Sequence, residues 1–329
     1  MKKVYCIIVT YNGTPWIEKC LNSILASSYP VHIVVVDNAS TDFTTTIIKN
    51  SFPGVQLISL PQNIGFGQAN NKGLTLALES QADYVFLLNQ DAWIEEDSIY
   101  TLIKCSEENS TYGIISPIHL NGTGTGVDKY FMEYFLQSDM HDMVTNSLLG
   151  MPRQNKLVTT AFVNAAAWLI TRECLLRTGG FDPIFFHYGE DRNYIQRAIY
   201  WNYKAGISTQ ARIYHDRETR ITKDSVNLDA VLKKEWIHFL SYACDIRQTG
   251  YVSLLLRRFL RYSFLLVIAL VSFSKTRIRY NYFMAKKIAG SASAIRRSHK
   301  ISSNATAIPH LPAISGDIQS ATTVMANSL

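Results

Sequence analysis

The chain has 329 residues, of which 47% are hydrophobic and 18% are charged. This composition excludes a fully disordered chain and provides enough apolar surface for one large domain or two smaller ones. The five cysteines are odd in number and widely spaced, and no Cys-x-x-Cys pair occurs. The cysteine pattern therefore argues against a disulfide scaffold or a zinc module, and it favours a reducing compartment.

The formal net charge of +6 is divided unevenly along the chain. Between Asp245 and Asp317 there is no acidic residue, whereas this stretch contains twelve lysines and arginines. The rest of the chain has 20 basic and 26 acidic residues, so an acidic body precedes a basic segment. This asymmetry predicts that the basic segment faces an anionic surface, and it argues against a nucleic-acid partner for the body.

Strand and helix patterns alternate through the first hundred residues. Short apolar runs rich in β-branched residues predict strands at residues 4–9, 31–36, 55–60 and 84–88. Apolar residues at helical spacing predict helices at residues 16–25 and 66–78. The alternation predicts an α/β domain with a mostly parallel central sheet flanked by helices.

The later segments have other patterns. Residues 119–157 are rich in Gly, Asn, Asp, Met and aromatic residues without a clear period, which predicts long loops. A second ordered block is predicted from residue 159 to about residue 214. We divide the chain into a domain at residues 1–245, a basic helical segment at 246–300 and a polar, disordered tail at 301–329.

Polar side chains follow three of the predicted strands. They are Thr10 and Asn12 after the first strand, Asp37 after the second, and Asn89 and Asp91 after the fourth. Ligands of parallel α/β sheets bind beyond the carboxyl ends of the strands, so these side chains are candidates for one site. A dinucleotide site and a P-loop are disfavoured, because the first strand is followed by TYNGTPW, which has one glycine, and not by a Gly-rich phosphate loop.

Each motif has a second interpretation when it is taken alone. Asp37 can accept hydrogen bonds from a nucleobase or a ribose, but the NASTD string that follows it is typical of a helix N-cap. The segment NIGFGQANN, which starts at Asn63, can be a turn that opens a helix. Asp91 can hold a divalent cation beside a diphosphate, but a lone acid at a strand end is weak evidence for such a site.

Taken together, the motifs resemble family 2 glycosyltransferases, which have the GT-A nucleotide-diphospho-sugar transferase fold. The matching segments occur in the family's order and cover about residues 3–217: TYN at 10–12, VVVDNASTD at 34–42, NIGFGQANN at 63–71, LLNQDAW at 87–93, GGFDPIFFHYGEDRNYIQR at 179–197 and IYHDR at 213–217. The LLNQDAW form is most similar to the rhamnosyltransferase-like subgroup that builds surface polysaccharides. The resemblance implies a nucleotide-diphospho-sugar donor and a saccharide or lipid-linked acceptor.

The resemblance also implies roles for residues at the strand ends. Thr10, Asn12, Asp37 and Asn63 are expected to line the nucleotide pocket. Asp91 matches the second acid of the family's Asp-x-Asp signature, which is the direct metal ligand, and His215 is expected to complete the metal shell. The first acid is replaced by Asn89, which can contact the ribose or reach the ion through water. The expected cofactor is Mn²⁺ or Mg²⁺, and the imidazole favours Mn²⁺.

The pair Glu190-Asp191 lies in the longest matching segment. In the resembled family the second acid of this pair takes the proton from the acceptor hydroxyl, so Asp191 is the expected general base and Glu190 an expected substrate-binding neighbour. The dipole of a helix that starts here would favour the ionised carboxylate. The other interpretation is an acidic first helical turn that only complements the dipole.

The basic segment contains the apolar stretch 251–274, whose longest uncharged run is 13 residues, 262–274. As a helix this run is about 20 Å long, which is short of a hydrocarbon core of roughly 30 Å. We therefore expect an interfacial helix that binds an anionic membrane surface, with the protein peripheral on the cytoplasmic face of the cell membrane. A helix buried against the catalytic domain is the alternative.

The sequence thus predicts an inverting, metal-dependent glycosyltransferase that acts in surface polysaccharide synthesis. Gln196, Arg197 and Trp201 lack the QxxRW spacing of the processive synthases, which favours single additions. The alternative is a membrane-bound carbohydrate-binding or scaffolding protein that kept the fold and lost catalysis. Asn89 supports this alternative, whereas Asp91, Asp191 and His215 argue against it.

Overall fold

The computed structural model describes residues 1–136, 145, 148, 149, 156–217 and 227–313. Its strands are β1 Val4–Thr10, β2 His32–Asp37, β3 Gln56–Ser59, β4 Tyr84–Asn89, β5 Ala92–Ile94, β6 Tyr112–Asn121, β7 Leu157–Thr160, β8 Ala167–Thr171 and β9 Lys204–His215. Its helices are α1 Ile17–Leu25, α2 Thr44–Ser51, α3 Phe66–Glu79, α4 Ser98–Glu108, α5 Lys129–Phe135, α6 Arg172–Thr178, α7 Glu190–Tyr200, α8 Leu228–Ala243, α9 Tyr251–Val271 and α10 Lys275–Ser302. The four strands and two helices predicted in the first hundred residues are confirmed.

The strands form one nine-stranded sheet in the order β3-β2-β1-β4-β8-β6-β9-β5, with β7 paired to β9. In the first half, β1 is parallel to both β2 and β4, and β2 is parallel to β3. The register pairs Thr10 with Asp37 and Val9 with Asn89. The polar residues that end these strands therefore meet at one edge of the sheet.

The expectation of a mostly parallel sheet is wrong for the second half. Strand β8 is antiparallel to β4 and β6, and β9 is antiparallel to β5 and β7 but parallel to β6. The sheet is therefore mixed. A buried strand such as Ala167–Thr171 has the same apolar pattern in either direction, so the pattern indicates burial and leaves the direction to the connections.

The sheet is covered on both faces by helices. Ile7 of β1 packs in one apolar cluster, which also contains Leu74 of α3 and Trp168 of β8. Ile8, the next residue of β1, packs in a second cluster with Leu21 of α1. Successive residues of a strand point to opposite faces, so the continuous apolar run of β1 reflects burial on both sides.

A third apolar cluster joins α8, α9 and α10 beside the sheet domain. Leu255, Tyr262 and Ala269 recur every seven residues on α9 and are buried, together with Ile288 of α10 and Phe185 of the chain before α7. This cluster contains residues from both sides of the predicted boundary at 245. Within the described ranges, no helix has both the length and the apolar character that a bilayer crossing requires.

Two predictions of irregular structure need correction. The segment 119–157, predicted as loops, contains the end of β6, helix α5 and the start of β7, while residues 137–144, 146, 147 and 150–155 lie outside the described residues. Of the tail predicted to be disordered, residues 301–302 end α10, and Ile308 and Leu311 pack against the first apolar cluster. Residues 314–329 lie outside the description. A few apolar residues are enough to anchor a polar stretch, although the average composition of the stretch still predicts disorder.

Candidate active site

A cavity of about 900 Å³ opens at the carboxyl edge of β1 and β4. Residues from both halves of the chain line it: Val9, Tyr11, Asn38, Asn63, Gly65, Phe66, Asn89, Gln90, Asp91, Tyr130, Tyr134, Phe186, His187, Tyr188, His215, Arg217 and Lys233. Four of the predicted site residues, Asn63, Asn89, Asp91 and His215, are in this lining. The volume is suitable for a ligand of nucleotide-sugar size.

Thr10 and Asp37 lie beneath the cavity and are not part of its lining. The Thr10 hydroxyl donates to Asp37 Oδ1 at 2.9 Å, and Asp37 Oδ2 accepts from the backbone N–H of Ser40 at 3.0 Å. Both side chains are buried, so they brace the two strand ends against each other. Asp37 is not the N-cap of α2, which begins at Thr44.

Asn38, next to Asp37, is a lining residue that the sequence analysis did not single out. Its Nδ2 donates to Asn63 Oδ1 at 3.0 Å, and its Oδ1 accepts from the backbone N–H of Ile64 at 2.9 Å. Asn63 Oδ1 also accepts from the N–H of Gly65 at 2.9 Å. The Asn38–Asn63 pair therefore joins the end of β2 to the turn that opens α3. The adjacency of Asn38 to Asp37 was the signal that could have found it.

Asn12 is also outside the lining. Its backbone is in the left-handed region with φ 51°, and its Oδ1 accepts from the N–H of Thr41 at 2.9 Å. The exposed neighbour Tyr11 lines the cavity instead. Its backbone exchanges two hydrogen bonds with the carboxamide of Gln90, at 2.9 and 3.1 Å. Asn12 thus shapes the strand end that presents Tyr11.

Asp91 and His215 meet in the cavity wall. Strands β5 and β9 pair Ala92 with His215, and this register brings His215 Nε2 to 3.5 Å from Asp91 Oδ2. Both side chains are buried. Asn89 Oδ1 and His215 Nδ1 are buried and have no hydrogen-bond partner within the described part of the chain.

This donor set fits a divalent cation bound together with a diphosphate. Among the described residues there is no group of three or more His, Cys, Asp or Glu side chains that could hold a metal ion. A carboxylate and an imidazole supply two ligands, so phosphate oxygens and water would have to supply the others. An unpartnered amide oxygen at Asn89 is a further acceptor in the same wall.

Arg217 brings a positive charge to this wall. Its Nε donates to Asp128 Oδ2 at 2.8 Å, its Nη2 donates to Oδ1, and its guanidinium lies 4.7 Å from the centre of the Tyr130 ring. Asp128 is fully buried and also caps α5 by accepting from the N–H of Phe131 at 2.7 Å. Burial alone would raise the pKa of Asp128, but the hydrogen bonds from Arg217 and Phe131 lower it. IYHDR contained Arg217, yet nothing local indicated its partner 89 residues away.

The chain makes a sharp turn immediately before α7. Tyr188 has φ 71° and Gly189 has φ 92°, so two consecutive residues are in the left-handed region, which costs energy for a tyrosine. Four aromatic residues lie in the segment 181–188: Phe181 and Phe185 are buried, whereas Phe186 is 60% exposed and Tyr188 is 61% exposed. Only the second pair lines the cavity.

Glu190 begins α7 and is 5% exposed. It packs against Gly67 of α3, where an added Cβ would lie 3.6 Å from the Glu190 Cβ. Burial, and then the charge of Asp191, raise the pKa of Glu190 to about 8. Its Oε2 has no hydrogen-bond partner among the described residues. Glu190 is therefore protonated at neutral pH and lies behind the cavity lining.

Asp191 follows on the first turn of α7 and is half-buried. Its Oδ1 accepts from the N–H of Arg192 at 2.7 Å. Burial raises the pKa of Asp191, although the helix dipole was expected to favour the ionised form, because desolvation outweighs the dipole. After burial, the charge of Asp191 is the largest cause of the raised pKa of Tyr134, a lining residue, so Asp191 lies close to the cavity wall.

The fold and the site together define a class of protein. The mixed sheet with helices on both faces is a GT-A-like α/β fold. Its site contains braced polar strand ends and a carboxylate–imidazole pair, and α7 carries an acid pair. The sequence profile of Glycosyl transferase family 2 matches residues 5–173, just over half of the chain. The chain belongs to this family, as its motifs predicted.

Curated relatives include rhamnosyltransferases. The chain is 26% identical over 204 residues to N-acetylglucosaminyl-diphospho-decaprenol L-rhamnosyltransferase of Mycobacterium tuberculosis. The match covers 56% of this chain and 66% of the relative. It is 25% identical over 199 residues to the rhamnosyltransferase WbbL of Escherichia coli. This match covers 57% of this chain and 74% of the relative. The match spans just under two thirds of the mycobacterial relative's own length.

Solved structures support the fold. A mannosyltransferase from Pyrobaculum calidifontis, in complex with GDP-Man and Mn²⁺, aligns with a TM-score of 0.52 at 17% identity over 99% of this chain and 80% of that chain. Residues 1–349 of TarS from S. aureus align with a TM-score of 0.52 at 15% identity over 89% of this chain and 92% of that chain. At these identities the likeness concerns the fold.

Proposed function

We propose that this protein is an inverting glycosyltransferase that moves a sugar from a nucleotide-diphospho-sugar to a saccharide or a lipid-linked saccharide in surface polysaccharide synthesis. The observation that carries the proposal is a cavity of about 900 Å³ at the ends of braced parallel strands, which the Asp91–His215 pair lines. Asp191, on the first turn of α7, lies outside this lining. Relatives named as rhamnosyltransferases support a rhamnosyl donor as the first to test.

Asp91 and His215 are proposed to hold Mn²⁺ or Mg²⁺ against the diphosphate. A bound cation would offset the negative charge that accumulates on the leaving nucleoside diphosphate. Arg217, whose guanidinium is oriented by Asp128, faces the same space and would donate hydrogen bonds to the diphosphate. Asn89 would contribute its amide oxygen to the ribose or to a bound water.

Asp191 is proposed to take the proton from the acceptor hydroxyl while that oxygen attacks the anomeric carbon. A raised pKa makes the carboxylate a stronger base than an exposed aspartate, provided that it is ionised at the working pH. Because Glu190 beside it is protonated at neutral pH, Asp191 has no second negative charge next to it. The exposed rings of Phe186 and Tyr188 would stack on the acceptor sugar at the mouth of the cavity.

A catalytically degenerate carbohydrate-binding protein is the second candidate, because Asn89 replaces a carboxylate. Release of nucleoside diphosphate distinguishes the two. The purified full chain is incubated with dTDP-rhamnose, UDP-GlcNAc or GDP-mannose and an N-acetylglucosaminyl-diphospho-lipid acceptor, with Mn²⁺ or with a chelator. We expect metal-dependent release with one donor that needs the acceptor. Donor binding without release from any pair would favour the degenerate protein.

We further propose that α9 places the protein at the cytoplasmic face of the cell membrane as a peripheral protein. Val252, Leu256, Leu260 and Phe264 recur every four residues and are exposed, on the side away from the buried stripe of α9. Exposed basic residues occur on α9 and at the start of α10: Arg257, Arg261, Lys275 and Arg277. One side of α9 thus packs on α10, and the other side would suit an anionic bilayer surface.

Vesicle co-sedimentation tests the membrane proposal. We expect the full chain to bind vesicles of anionic lipid more strongly than neutral vesicles, and salt to weaken this binding. Leu256→Glu combined with Phe264→Glu should abolish binding and leave donor affinity unchanged. Leu25→Glu, at an exposed leucine of α1, is the matched control and should bind as the unaltered chain does. Equal binding by the double variant would contradict the proposal.

A further inference from the structure

The C-terminal strap, residues 303–313, follows α10 and contacts the loop 179–189 that leads into Glu190. The backbone N–H of Gly180 donates to the carbonyl of Pro309 at 2.9 Å. Asn71 of α3 joins the two segments, because its Nδ2 donates to the carbonyls of Phe181 at 2.8 Å and His310 at 3.3 Å. Its Oδ1 accepts from the N–H of Phe181 at 2.7 Å. Three segments distant in sequence thus meet at the start of this loop.

Asp182 is the second point of attachment. Its Oδ1 accepts from the N–H of Ile184 at 3.0 Å, and its Oδ2 accepts from the hydroxyl of Ser298 on α10. His310 Nε2 lies 3.7 Å from the same Oδ2 and 2.8 Å from the hydroxyl of Ser302. All these side chains are buried, and burial lowers the pKa of His310 to about 4, so the imidazole is neutral at physiological pH.

The start of the loop also accepts hydrogen bonds from α7, the helix that carries the acid pair. Arg197 of α7 is fully buried, and its Nη2 donates to the carbonyl of Gly180 at 2.7 Å. Its Nη1 donates to the carbonyl of Thr178. Further along the loop, Phe185 is buried in the cluster of α8, α9 and α10. Within this loop, the residues that line the cavity are Phe186, His187 and Tyr188 at its end.

We propose that the strap fixes the loop 179–189 and that Asp182 and His310 are positioning residues, through which the end of the chain orients the acceptor side of the cavity. This inference rests on the proposed function insofar as Asp191 is the base. The donor side has its own bracing, because Thr10 bonds to Asp37 and Asn38 bonds to Asn63. Loosening the strap should therefore impair acceptor use and spare donor binding.

The proposal is tested with His310→Ala in the full chain. We expect kcat/KM for the acceptor to fall about 10- to 100-fold, since small displacements of catalytic groups have effects of this size. Donor affinity, measured by calorimetry with a nucleoside diphosphate, should stay unchanged. His310→Gln keeps a side-chain amide that can bond to Ser302, and it should recover most of the loss. Asp182→Ala should resemble His310→Ala.

Leu102→Ala is the matched control for a purely structural effect. Leu102 of α4 is buried in the cluster on the other face of the sheet, so this change lowers stability without contacting the loop. If His310→Ala lowers Tm as Leu102→Ala does and both keep the unaltered acceptor kcat and KM below Tm, the strap is only structural and the proposal is overturned.

Hydrogen exchange separates this inference from the proposed function. In His310→Ala the amides of Gly180 and Phe181 should exchange faster than in the unaltered chain and in Leu102→Ala, because their acceptors lie on the strap and on Asn71. This readout needs no activity. Absence of transfer by the unaltered chain would refute the proposed function, whereas unchanged exchange at residues 180–190 would refute the strap.

Discussion

The two sides of the cavity are built in different ways. The proposed donor side consists mainly of strand ends from the first hundred residues, which parallel pairing aligns at one edge, together with His215 of β9. The proposed acceptor side combines the loop before α7 and the C-terminal strap, which come together from distant parts of the chain. The donor side therefore depends on register, and the acceptor side depends on a few long-range polar contacts. Changes to the two sides should have separable effects.

The largest effect should come from the acceptor side. Asp191→Asn removes the proposed base and should lower kcat by about 10²–10⁴-fold, while nucleoside diphosphate affinity stays nearly the same. Steady-state kinetics and calorimetry measure the two quantities. Glu96→Gln, at an exposed acid between β5 and α4, is the control and should retain turnover. Ordinary turnover by Asp191→Asn would mean that the acid only complements the helix dipole.

The donor side should respond in affinity and in metal dependence. Asp91→Ala should weaken binding of a nucleoside diphosphate and make it independent of Mn²⁺, because the diphosphate loses its counter-charge. His215→Ala should have the same effect to a smaller degree. Calorimetry with Mn²⁺ and with a chelator checks both variants. Equal affinity under the two conditions in the unaltered chain would remove the metal from the mechanism.

Glu190 should make stability depend on pH. Its folded pKa of about 8 exceeds the reference value of 4.5, so the folded state holds the proton more tightly. Its contribution is fully present below the unfolded pKa and is lost as the pH rises toward 8. Glu190→Gln has no carboxyl group that ionises at this position. Its free energy of unfolding, relative to that of the unaltered chain, should therefore increase by about 2–4 kcal/mol between about pH 5 and pH 8.

Urea unfolding at the two pH values measures this difference. Glu79→Gln provides the comparison, since Glu79 ends α3 and is exposed. A constant difference in the free energy of unfolding between Glu190→Gln and the unaltered chain would show that Glu190 ionises with an ordinary pKa. Glu190 would then not be a protonated neighbour of Asp191 at neutral pH.

The smallest effect should come from the strained turn. Tyr188→Gly removes the cost of a left-handed tyrosine and should stabilise the fold by about 0.5–1 kcal/mol, although glycine also adds freedom to the unfolded chain. Acceptor KM should rise because the exposed ring is lost. Thermal unfolding and acceptor kinetics measure the two changes. A lower Tm would contradict the strain argument, and an unchanged KM would contradict stacking by Tyr188.

The strands of the donor side could be predicted from the sequence. Apolar periodicity and polar strand ends located β1, β2 and β4, because burial on a sheet leaves a local pattern that survives in the chain. The order of the motifs identified the family, and Asp91 and His215 line the cavity, whereas Glu190 and Asp191 do not; the roles of all four stay predictions. The assignments of Thr10, Asn12 and Asp37 to a nucleotide pocket stay predictions, since these residues lie beside or beneath the cavity and not in its lining.

Other features of the fold and the site depend on contacts that the sequence alone does not show. The antiparallel direction of β8, the pairing of Arg217 with Asp128, and the contact of His310 with Asp182 each join residues far apart in sequence. Such contacts leave no periodic trace, because a single polar side chain has the same local context whether it meets water or a distant partner. The raised pKa of Glu190 likewise depends on how deeply α7 packs against α3, and desolvation is a property of the folded environment.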